Sequence, residues 1–119
     1  MKENVVKTKS FAFAVRIVKL AKWLQSDKKE YVLSKQVLRS GTAIGALIRE
    51  AEHAESKRDF AHKMNIALKE ANETLYWLDL LHESEYLEKA KLESIRPHSE
   101  ELVKLLVSIV RTAKQKSNE

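Results

Sequence analysis

Glu50-x-x-His53 and Asp79-x-x-His82 each set a carboxylate and an imidazole three residues apart in this chain of 119 residues. On a helix that spacing puts both groups on one face. Helical bundles hold paired metal ions with such motifs on two helices and carboxylates on the other two. Placement opposes a shared site here. His53 lies beside the turn into the next helix, whereas Asp79 lies far along that helix. At ~1.5 Å rise per residue the two motifs are roughly 30 Å apart. No metal is therefore expected. The absence of cysteine removes thiolate and disulfide chemistry. No Gly-Lys-Ser/Thr phosphate loop occurs, and His53, His62, His82 and His98 read as surface or interface residues. The chain is expected to be non-enzymatic and free of cofactors.

Charge offers the one functional lead. The formal net charge is +5, unevenly spread. Residues 1–39 hold ten Lys/Arg against three Asp/Glu, residues 40–95 seven against eleven, and residues 96–119 five against three. If the first and last helices are neighbours, their basic parts adjoin. Lys19, Lys22, Arg111, Lys114 and Lys116 are then candidates for one patch that holds a phosphate backbone without reading bases. A lysine-rich solvated surface explains the same residues, and no aromatic stacking platform is evident.

The elements that must carry these groups are helices. Apolar residues make up 44% of the chain, with one proline and two glycines, too few turn residues for many short strands. No uncharged apolar run is long enough to span a membrane, and no signal-peptide core is present. A cytoplasmic chain with one domain, residues 1–119, is expected. Ser10 is a candidate cap for a first helix to Ser26. That helix has two apolar stripes, one through Phe11, Val15 and Val18 and one through Phe13, Ile17 and Leu24. Ser34 is the candidate cap of a second helix to Ala51. Ser56 with Asp59 resembles a capping box for a third helix to Glu83. The fourth covers roughly 88–114, and Pro97 should kink or split it. Short connections favour antiparallel neighbours, hence an all-α, up-down-up-down four-helix bundle.

Both glycines, Gly41 and Gly45, fall inside the second helix, where each is unfavourable by roughly 1 kcal/mol relative to alanine. With the second and third helices antiparallel about Ser56, Gly45 faces Ala67 and Gly41 faces Ala71. Small against small would let the backbones approach, within the bundle or at a subunit contact. The same register sets Arg39 opposite Glu73 and Glu50 opposite His62 as interhelical polar pairs. Trp23, Tyr76 and Trp77 serve either the core or a partner subunit.

The stretches "LRSGTAIGALIREA" and "SKRDFAHKMNIALKEANETLYWL", within residues 32–81, closely resemble a four-helix bundle family labelled ribosomal-protein-like. Its label comes from reading frames in intervening sequences of bacterial 23S rRNA genes. The resemblance runs over nearly the whole chain, with Leu47 standing where the family pattern has asparagine. It implies an antiparallel bundle assembling as a homo-pentameric ring, and supplies no catalytic residues. A related group, the accessory proteins of diversity-generating retroelements, binds nucleic acid and a reverse transcriptase. Two function classes follow. One is an oligomer that contacts RNA or DNA backbone; the other is a structural or adaptor assembly that presents a surface to a protein partner.

Overall fold

The computed structural model describes residues 2–118; the ends of the expected domain, Met1 and Glu119, lie outside the described residues. Four helices account for nearly all of it: α1 (Lys2–Ser26), α2 (Leu33–Ala51), α3 (Lys57–Glu83) and α4 (Lys89–Ser117). No strand occurs among the described residues.

α1 begins at Lys2, about two turns before Ser10. The reason is Val6. It is fully buried and continues the inward stripe of Phe13, Ile17, Ala21 and Leu24. Ser10 is therefore an interior helical residue, not a cap. Its hydroxyl donates to the Lys7 carbonyl at 3.0 Å. The other stripe stays outside, with Phe11 56% and Val15 40% exposed.

α2 is not capped by Ser34 either. Glu30, buried in the α1–α2 connection, accepts from the backbone N–H groups of Val32, Leu33 and Ser34 at 3.1, 2.9 and 2.7 Å. Ser34 lies inside the helix and donates its hydroxyl to the Glu30 carbonyl at 2.9 Å. A glutamate thus satisfies the orphan donors that a serine was expected to take. At α3 the Ser56 cap forms: Ser56 Oγ accepts from Asp59 N at 3.0 Å, while the Asp59 carboxylate reaches one residue past the cap and accepts from Glu55 N at 3.1 Å. α3 ends in a Schellman motif. Tyr86 N–H reaches the Leu81 carbonyl and Glu85 N–H the His82 carbonyl, both at 3.0 Å, with Glu85 left-handed at φ 68°.

α4 runs unbroken through Pro97. Pro97 is exposed, so water can hydrate the Glu93 carbonyl that loses its helical donor. The expected split does not occur.

Consecutive helices pack together, and α1 also meets α4 along a less extensive seam. Named contacts fix each alignment. Lys7 meets Glu52 and Gln25 meets Ser34; Arg39 meets Glu73 and Glu50 meets Lys63. Ser99 reaches Ala71 and Arg96 reaches Asp79; Lys9 meets Glu101 and Arg16 meets Ser94. Within every helix pair the numbers rise along one partner as they fall along the other. The core between them joins Ile17, Leu24, Ile44, Met64, Leu78, Leu102 and Leu106, all at most 1% exposed. Among the described residues no buried side-chain nitrogen or oxygen lacks a hydrogen-bond partner.

The glycines face α1, not α3. A Cβ on Gly41 would lie 2.8 Å from both Cγ atoms of Ile17, and one on Gly45 would lie 3.4 Å from Ser10 Oγ. Ala67 and Ala71 are fully buried, but the Ala71 carbonyl accepts from Ser99 of α4 at 3.3 Å. The small residues of α2 and α3 serve separate seams. The α2–α3 seam instead carries a polar contact, the Thr74 and Ser40 hydroxyls at 2.9 Å.

Candidate functional site

The candidate groups separate once their helices are placed. Arg39 bridges two acids of α3: its guanidinium meets Glu70 at 3.0 Å and also bonds Glu73. Glu73 in turn accepts from Trp77 Nε1 at 2.9 Å. Glu50 does not meet His62; its nearest charged neighbour is Lys63, at 3.9 Å. One residue of register brings a lysine to the position where an imidazole was expected.

The motif pairs take other partners. Asp79 is held by Arg96 through two hydrogen bonds, 2.7 and 3.0 Å. The Arg96 hydrogen bond keeps the Asp79 carboxyl below the usual carboxylate range despite partial burial. His82 Nδ1 lies 2.8 Å from the Leu87 carbonyl. Among the described residues no group of three or more His, Cys, Asp or Glu could hold a metal. No helix among them is long and apolar enough to cross a membrane.

The expected single basic patch is divided in two. α1 and α4 are neighbours, but opposed numbering brings the start of α1 to the end of α4. Lys2 donates to Ser108, whereas Arg16 donates to Ser94. Lys19 and Lys22 therefore lie near the start of α4, and Arg111, Lys114 and Lys116 near its end. At ~1.5 Å per residue the two groups are roughly 30 Å apart on a molecule 50 Å long. All five side chains are exposed.

Each end makes its own hollow. Lys116, with Lys2 and Lys57, rims a cavity of 460 Å³ floored by Phe60, Ile109 and Ala113. At the opposite end Lys19 joins Arg16, Trp23 and Lys91 around a groove of 700 Å³ between α1 and α4. A smaller hollow of 340 Å³ continues from it past Trp23 to Lys28, His82 and Tyr86. The Trp23 ring stands between the two. Lys91 Nζ lies 4.3 Å and Lys28 Nζ 5.4 Å from its centroid, within cation–π range. Arg16 is held in place by the Ser94 carbonyl at 2.8 Å and hydroxyl at 2.7 Å. Glu85 and Glu88 are the acidic residues lining the two hollows beside Trp23, and Glu3 lines the one at the opposite end.

Trp23, Lys28 and Lys91 were not singled out together from sequence. Lys28 lies in a turn, and Lys91 is on another helix. The spacing of Arg16, Lys19 and Trp23 along one helix was the available signal.

A model of the 23S rRNA-intervening sequence protein family matches residues 2–108. The chain belongs to this family. A crystal structure at 1.70 Å from Bacteroides thetaiotaomicron VPI-5482 is 61% identical in sequence, covering 93% of this chain and 99% of that one, with a TM-score of 0.91. That structure is described as a protein with unknown function from the S23 ribosomal protein family. No curated protein matches the chain. The family membership accords with the four helices and the absence of strands among the described residues. Leu47 packs half-buried against the core.

Proposed function

We propose that this family member is a non-enzymatic helical-bundle protein that holds nucleic acid by its phosphate backbone, with RNA the first candidate. The observation that carries the proposal is the cation-lined groove between α1 and α4, with Arg16, Lys19 and Lys91 at its walls. Phosphate contacts of this kind give affinity without base readout and release counterions on binding. The family's tie to 23S rRNA genes makes RNA the natural polyanion. Residues 1–119 form one cytoplasmic domain in this proposal, an up-down-up-down bundle.

The bundle assembles as a homo-oligomer, with five copies the leading number. Support comes from the second stripe of α1, where Phe11 and Val15 remain exposed. Arg49 of α2 lies 5.2 Å from the Phe11 ring centroid, so this apolar face adjoins α2. In a ring the grooves repeat, and weak contacts act together through effective concentration. That same face favours a second function, an adaptor that offers a surface to a protein partner.

Binding to structured RNA and duplex DNA, measured across a salt series, tests the first proposal. Affinity should be largely sequence-independent and fall steeply with salt. Lys19→Glu with Lys22→Glu should weaken it with the fold intact. Absence of binding at low salt rejects backbone recognition and leaves the adaptor. Light scattering at micromolar concentration tests assembly, and a 13.7 kDa species rejects it.

A further inference from the structure

Phosphate recognition alone does not explain an indole at the centre of a cationic groove. Trp23 is half-buried and packs against the core, so its ring is held in place. It lines both hollows at this end of the molecule, and Tyr86 lines the second. Around them are Arg16, Lys19, Lys28 and Lys91, against the carboxylates of Glu85 and Glu88. Fixed aromatics interleaved with cations are the means by which proteins hold single strands: the cations follow the backbone, and every base has a face to stack. Duplex DNA or RNA keeps its bases stacked on each other and presents none.

We infer that the Trp23 groove is a single-strand subsite, in which an unpaired base stacks on the indole while Lys19, Lys28 and Lys91 contact the flanking phosphates. This rests on the backbone reading above and adds a preference to it. Lys91 and Lys28 occupy the ring's surroundings in the free protein. Both lysines are exposed, and stacking a base outweighs an exposed cation–π contact. The groove volume of 700 Å³ leaves space for a nucleotide. Unpaired bases of any sequence satisfy the stacking contact, because every base has a face to lay on the indole.

The experiment compares three probes on the full chain: oligothymidylate, an abasic oligomer of the same length, and a duplex. Oligothymidylate should bind about tenfold more tightly than the abasic oligomer, the range of one stacked base. Trp23→Leu should abolish that difference, while Trp23→Phe should retain most of it. Circular dichroism establishes that both variants fold. In a Trp77→Phe background the remaining indole fluorescence should be quenched by oligothymidylate and not by the abasic oligomer. Equal affinity for oligothymidylate and abasic oligomer overturns the stacking inference while backbone recognition stands. Failure of all three probes overturns both. Polyglutamate binding as tightly as oligothymidylate, with Trp23→Leu weakening neither, overturns it too and assigns the groove to an acidic protein segment.

Discussion

Gly41 and Gly45 face the same neighbour, α1, yet their surroundings differ. A methyl at Gly41 would press on Ile17 at both Cγ atoms and come within 3.2 Å of its Cβ. Ile17 is fully buried and β-branched, hence stiff, so it cannot yield cheaply. At Gly45 the methyl would make ordinary contact with Ser10. Gly41→Ala should therefore lower stability by on the order of 1 kcal/mol, overpacking outweighing the gain in helix propensity. Gly45→Ala should raise it by up to about 1 kcal/mol. Thermal denaturation of the two variants checks the opposite signs. That a glycine marks a close approach was legible from "RSGTAIG" and holds at Gly41; the partner was not, nor that Gly45 has room for a methyl. The pattern of α2 says which face is small, but whether α1 or α3 fills the space depends on three-dimensional alignment. Glu30 was equally hidden, because glutamate is not a favoured capping residue. Burial works to raise its pKa, but the N–H groups of Leu33, Ser34 and Val32 and the Ser34 hydroxyl outweigh this and hold it below the ordinary value. A folded-state pKa below the unfolded one adds stability above the ordinary carboxylate value, and that contribution is lost as pH falls through the folded value. Glu30→Gln should cost about 1 kcal/mol at neutral pH, and denaturant melts should show the difference from wild type shrinking on acidification below about pH 4.

At the scale of the helix, termini decide more than interiors. The four helices were readable from apolar spacing, and the Ser56–Asp59 pair located the start of α3. The start of α1 was missed because Val5 and Val6 are a lone apolar pair in a polar stretch; that Val6 continues the stripe of Phe13 and Ile17 shows only in its burial. Pro97 does not split α4, because its exposed position lets water take the place of the missing helical donor. The end of α3 carries a testable strain. Glu85 takes the left-handed position of the Schellman motif, where a side chain is unfavourable and glycine is the usual occupant. Glu85→Gly should therefore stabilise by about 0.5–1 kcal/mol, seen as a raised Tm. A lowered Tm would mean that the Glu85 side chain contributes more to this end of the molecule than its backbone strain removes.

For the whole molecule, charge counts along the chain foretold basic segments but not their distribution. Adjacent helices bring charges together only where their residues align. Opposed numbering carries Arg111, Lys114 and Lys116 to the far end from Lys19 and Lys22, and replaces one patch by two clusters. Conversely, Trp23 gains Lys28 from a turn and Lys91 from α4, a meeting that no local spacing encodes. The α1–α4 seam joins the two helices most distant in sequence and is the least extensive of the four. Closing it costs more chain entropy than pairing near neighbours in the chain. In the native state the same seam is the natural place for local opening. Native-state hydrogen exchange should find amides of α1 and α4 opening at lower free energy than those of α2 and α3. The cationic groove spans this seam, so a polyanion lying in it would fasten the two helices together and slow that exchange. The protein would then report its occupancy through the lifetime of its most weakly closed joint.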